Sequence, residues 1–123
     1  MHRLQLAASD DRQEFYTSWD PTYGYVQYVD RATAEQYGMI NVTGESVSFG
    51  VDTTQTLDPD SNLGRVSLRL TTIQSWTHGL FILDLAHMPA NTCGVWPAVW
   101  MLGSGLWPTT GKLSTRSTAF CRC

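Results

Sequence analysis

The clearest regularity along this chain is a period of two. Val47, Phe49 and Val51 alternate with Ser48, Gly50 and Asp52, and Val66, Leu68 and Leu70 alternate with Ser67, Arg69 and Thr71. Side chains on an extended backbone point to opposite faces in turn, so each stretch predicts a strand with one buried and one polar face. Between them, residues 53–64 carry Asp58-Pro59-Asp60-Ser61-Asn62, which is turn chemistry. Tyr23 to Val29 is dense in β-formers and reads as a strand or extended segment. It follows Asp20-Pro21, a turn signal. Arg31 to Gly38 allows one or two helical turns, ended by Gly38 as a cap. From Gly79 to Met88 the run is almost wholly apolar, as expected of a central strand covered on both faces. Val95 to Leu102, bounded by Gly94 and Gly103, predicts a further aromatic strand. No helical period of useful length competes with these. The pattern predicts an all-β antiparallel sandwich or barrel.

Composition narrows the function classes. A chain of 123 residues holds one small domain. Charged residues make up 15%, the net charge is −3, and Lys112 is the single lysine, so no basic face exists for nucleic acid. No apolar run reaches the roughly 18 residues that would span a membrane as a helix. Leu4 to Ala8, cut off by Asp10 and Asp11, is shorter than the roughly 7–15-residue apolar core of a signal peptide. Asn41-Val42-Thr43 is a glycosylation sequon, meaningful only for a secreted protein. Cys93, Cys121 and Cys123 are an odd count, and Cys121-Arg122-Cys123 has the wrong spacing for a zinc knuckle or a thioredoxin-type pair. No metal or other cofactor is implied.

The chemistry concentrates between His78 and Gly111, which holds Trp96, Trp100 and Trp107. Gly79-Leu80-Phe81-Ile82-Leu83-Asp84-Leu85-Ala86-His87-Met88-Pro89 and Cys93-Gly94-Val95-Trp96-Pro97-Ala98-Val99-Trp100-Met101-Leu102 resemble glycoside hydrolase family 16. The likeness is to the fungal endo-1,3(4)-β-glucanase, laminarinase-like branch. Gly24 to Asp30, Ala34 to Ile40, Gly50 to Asp52, Val66 to Arg69 and Leu106 to Gly111 extend the likeness. It divides the chain into an N-terminal extension (1–14), the N-terminal part of a family domain (15–111), and an unrelated tail (112–123).

The resemblance implies part of a concanavalin-like β-jelly roll, two antiparallel sheets with a glucan cleft across one face. It implies an extracellular protein, monomeric if folded, with a β-glucan polysaccharide or oligosaccharide as partner. By the same resemblance Trp100 and Trp107 fall where family members stack glucosyl rings, with Trp96 in the same neighbourhood. A pyranose presents a face of C–H bonds that lies flat on an indole. Trp96, Ala98 and Trp100 share one parity, so one strand face offers two indoles with a small residue between. Core packing is the competing role for each tryptophan. Arg69 resembles a family arginine that hydrogen-bonds sugar hydroxyls, and a solvated strand face is its alternative. His87 on an apolar run reads as a core histidine, with a catalytic base as its alternative, and Cys93 resembles a family cysteine whose partner lies further along a longer chain.

The same alignment removes the reaction. Retaining glycosidases need two carboxylates about 5–5.5 Å apart, one a nucleophile and one an acid/base. The family carries them as E-I-D-I-I-E directly after W-P-x-x-G. Here Lys112 stands for the nucleophile, Ser114 for the aspartate and Ser117 for the acid/base. After Asp84 there is no Asp or Glu at all. Three readings stand. The first is a family 16 β-glucanase fragment lacking the catalytic Glu/Asp/Glu and inactive by itself. The second is a non-catalytic β-glucan-binding sandwich. The third is a misread product, from a frame shift, a retained intron or a splice variant, with no stable fold.

Overall fold

The structure is a computed structural model. It describes residues 13–44, 46–76, 78–90, 95–103 and 115–122, with 96, 102, 103 and 115–122 described as backbone only. Among these residues there are seven strands and one helix: β1 (Gln13–Phe15), β2 (Val26–Tyr28), α1 (Arg31–Gln36), β3 (Ile40–Val42), β4 (Val47–Phe49), β5 (Arg65–Thr72), β6 (Trp96–Gly103) and β7 (Thr115–Arg122).

The alternating stretch around Leu68 becomes the axis of the fold. β5 pairs antiparallel with β1, parallel with β2 and antiparallel with β7, and β7 pairs antiparallel with β6. The order is β1-β5-β7-β6, with β2 joined to β5, while β3 and β4 form a separate two-stranded sheet. The architecture is all-β and, apart from β2 against β5, antiparallel. Leu68 is fully buried with Ala34 and Met39, and Phe15, Val29, Tyr37, Ile40, Phe49 and Val66 pack around them. Leu68 and Val66 share a parity, so the polar/apolar alternation places this core on one side of β5.

The helix is fixed by local chemistry. Asp30 accepts the Thr33 N–H at 2.9 Å as N-cap. Gly38 follows at φ 63°, where a side chain would be strained, and lets the chain turn so that Met39 donates back to the Ala34 carbonyl at 2.9 Å.

Two expectations are corrected. Tyr23 to Val29 is not one strand: only Val26–Tyr28 pairs, because residues 21 and 22 form a turn closed by Asp20 and Tyr23 sits at φ 57°. Gly79 to Met88 is not a central strand. Among the described residues from 78 to 90 no strand forms, and Leu80 and Ile82 are 80% and 72% exposed. An apolar run becomes a central strand only where two partners flank it, and here β7 lies between β5 and β6. Phe81 meets Trp76 edge to face instead, centroids 5.8 Å apart.

Candidate functional site

The second face of β5 carries the aromatic chemistry. Phe15 pairs with Leu70, so the next residue, Tyr16, arrives beside Arg69 and donates its N–H to the Arg69 carbonyl at 3.0 Å. Tyr28 pairs with Ser67, which has Arg69's parity. These registers bring Tyr16, Tyr28 and Arg69 to one side. The two tyrosine rings meet edge to face, centroids 5.7 Å apart at 76°. The Arg69 guanidinium lies over the Tyr16 ring at 4.2 Å, with the Tyr28 centroid at 6.0 Å. A guanidinium stacked in this way loses rotational freedom, so the rings fix its orientation.

β6 reaches the same side through β7. Phe120 is opposite both Ala98 and Arg69, and Thr118 is opposite both Trp100 and Thr71. Positions in one cross-strand row share a face. Trp100 and Ala98, both half-buried, pack with Tyr16 against Val26 and Tyr28. The structure therefore assembles Arg69 and Trp100, expected separately, into one aromatic cluster. Trp96 holds a β6 position of the same parity, opposite Arg122, and its side chain lies outside the described residues. Trp107, Cys93, Lys112 and Ser114 also lie outside them. Tyr16 and Tyr28 were missed in the sequence. Their aromatic density was visible, but their common side depends on one antiparallel and one parallel register that no local pattern encodes.

The buried carboxylates of the described residues serve turns. Asp20 accepts the Thr22 hydroxyl and the Gly24 N–H, each at 2.8 Å. Asp52 accepts the Thr54 hydroxyl at 2.6 Å and its N–H at 2.8 Å. Those bonds, with the nearby Arg65 charge, hold the Asp52 carboxyl below its usual range. Ser117 occupies a β7 position opposite Met101. That is the register position next to the Thr118–Trp100 pair. Among the described residues no group of three or more His, Cys, Asp or Glu is placed to hold a metal ion, and no helix is long and apolar enough to cross a membrane.

Against known proteins, residues 13–115 match the family described as the XgeA-like, catalytic GH16 domain. A probable endo-1,3(4)-β-glucanase of Neosartorya fischeri is 44% identical over 117 residues, covering 89% of this chain and 18% of the relative. The endo-1,3(4)-β-glucanase of Arthroderma benhamiae is 40% identical over 103 residues, covering 84% of this chain and 22% of its own length. The chain thus spans about a fifth of the length of the curated relatives it matches. Among solved structures, an elongating family 16 β-1,3-glucosyltransferase superposes with a TM-score of 0.71 at 45% identity, over 80% of this chain and 33% of that one. Laminarinase 16A from Phanerochaete chrysosporium, solved with 6-O-glucosyl-laminaritriose in its donor and acceptor sites, gives 0.71 at 37% identity, over 80% of this chain and 32% of that one. With the strand order, the aromatic cluster and this match in hand, the chain belongs to glycoside hydrolase family 16, of whose catalytic domain it carries a part.

Proposed function

We propose that this chain supplies one wall of a β-1,3-glucan cleft and does not itself hydrolyse the glucan. The observation that carries the reading is the convergence of Arg69 and Trp100 on one tyrosine-lined cluster. An indole offers a flat apolar surface to the C–H face of a glucosyl ring. A guanidinium fixed by stacking donates to the hydroxyls at the ring's edge. Trp107 and Trp96 join this wall by resemblance. The solved relative that holds β-glucan oligosaccharides supports glucan as the ligand class.

Chemistry is withheld for a physical reason. Double displacement needs a carboxylate to attack and a second to protonate the leaving oxygen. Lys112, Ser114 and Ser117 provide neither, and Asp20 and Asp52 are spent on turn hydrogen bonds. A lysine cation also repels the oxocarbenium-like transition state.

The test pairs two assays on the 123-residue chain. Incubation with laminarin should release no reducing sugar, while titration with laminariheptaose should shift tryptophan fluorescence. Trp100→Ala should weaken that binding by roughly tenfold or more, the scale of one lost aromatic stack with its polar rim. Turnover of laminarin would overturn the exclusion of catalysis, and undiminished binding by Trp100→Ala would overturn the site.

A further inference from the structure

The loop between β1 and β2 presents three aromatic rings to solvent within seven residues. Trp19 is 88% exposed, Tyr23 96% and Tyr25 58%. Isolated exposed aromatics need no explanation, but these three sit on a backbone that is fixed at several points. Tyr16 donates its hydroxyl to the Trp19 carbonyl at 2.7 Å. The buried Asp20 ties the turn through Thr22 and Gly24, and its own carbonyl accepts the Tyr23 N–H at 2.9 Å. On the far side the Gly64 backbone runs against the backbone of Tyr25, leaving no space for a Cβ. Gln27 donates its side-chain amide to the Gly64 carbonyl at 2.7 Å.

Tyr23 is the telling residue. At φ 57° it occupies the left-handed region, which a bulky side chain adopts at a cost. That cost brings no burial, since the ring is almost wholly in water. A strained residue on a turn that the Asp20 carboxylate ties on either side, at Thr22 and Gly24, and that is itself exposed has the character of a binding residue rather than a packing one. From Tyr16 to Val29 Asp20 is the sole charged residue, and its carboxylate points inward to the turn. The surface on offer is therefore neutral: apolar ring faces rimmed by phenol hydroxyls and an indole N–H.

The loop is also continuous with the cluster already described. It leaves from Tyr16 and returns at Val26 and Tyr28, the residues against which Trp100 packs. We propose that Trp19, Tyr23 and Tyr25 form a second stacking platform that extends the glucan-binding face beyond Trp100. Its ligand is a neutral β-glucan chain long enough to pass over both. A glucan fits because it alternates C–H faces with hydroxyl edges, and rigid aromatics bind it with little ordering cost. The inference rests on the reading of the Arg69–Trp100 face and deepens it.

The experiment titrates the 123-residue chain with laminaribiose and laminariheptaose, followed by calorimetry and by the indole N–H resonance of Trp19. Trp19→Ala and Tyr23→Gly are the variants, glycine being at ease at this φ so that the turn survives. Each should weaken laminariheptaose binding about 3- to 10-fold and leave laminaribiose binding nearly unchanged. The Trp19 resonance should move with the longer ligand. If Trp100→Ala loses binding while both loop variants keep the parent affinity and the Trp19 resonance stays still, the platform is wrong and the first site stands. If the parent chain binds neither sugar, both readings fail.

Discussion

Two apolar stretches of this chain end in opposite circumstances. Arg65–Thr72 is a paired strand whose Leu68 is fully buried, while Gly79–Met88, richer in large apolar side chains, lies open to solvent without a strand partner. Hydrophobicity does not separate them. Neighbours do: β5 has β1, β2 and β7 along it, and Leu68 closes onto Ala34 and Met39. Burial of one leucine is worth about 1.5–3 kcal/mol when a partner surface exists. Without one, the same side chain contributes nothing and invites association.

The sharpest way to break this comparison is to delete the packed side. Leu68→Ala leaves a cavity in the centre of the main core and should cost about 2–5 kcal/mol. The check is the shift in urea midpoint at constant slope. In a domain of this size that loss is a large part of the total stability, so the variant is expected to be largely unfolded near 37 °C. A shift below 1 kcal/mol, on the order of a surface substitution, would mean that β5 is not the axis of the fold.

The next largest effect is on acidification, and it again reports the packed side. Thr54, through its hydroxyl and then its N–H, with help from Arg65, holds Asp52 below the ordinary carboxylate range. Thr33 does the same for Asp30, through its side chain and then its N–H. Both groups therefore bind protons more weakly folded than unfolded. Their stabilising share is complete above the unfolded value, about 3.9, and is lost as pH falls through the folded one. Urea midpoints should be flat from about pH 7 to 5 and decline below about pH 4. Asp52→Asn should make that decline shallower. Midpoints that rise on acidification would contradict the turn geometry at Thr54.

These elements also mark what is legible in a sequence. α1 and its Gly38 cap could be read because their signals are local: a side-chain acceptor before the helix and a residue without a Cβ after it. β5 could be read because one-sided burial imprints alternation. Residues 79–88 could not, since an apolar run states that partners are wanted and not that they are present. Tyr23 failed for a related reason. Its β propensity was overridden by the Asp20 turn, whose bonds run over two to four residues and reverse φ. Arg69 and Trp100 were singled out one at a time, through resemblance. Their meeting required the β5–β7–β6 register and the parallel seating of β2, which are long-range facts. The tyrosine pair that joins them carries no periodic signature of its own.

The smallest effect should come from the open stretch, and it completes the contrast with Leu68. Ile82 is 72% exposed, so Ile82→Lys removes little buried area and introduces a charge that remains hydrated. Its effect on the urea midpoint should stay within about 0.5 kcal/mol, the range of surface substitutions. Self-association should nevertheless fall, because Leu80, Ile82 and Leu83 together present an unpartnered apolar surface that a second molecule can cover. Light scattering across a concentration series, for the parent chain and for Ile82→Lys, separates the two quantities. Unchanged stability with reduced association is the expected pair. A loss of about 2 kcal/mol or more, the scale of core truncation, would show that residues 79–88 are buried after all. In that case the difference between the two apolar stretches would lie in their registers and not in whether they have partners.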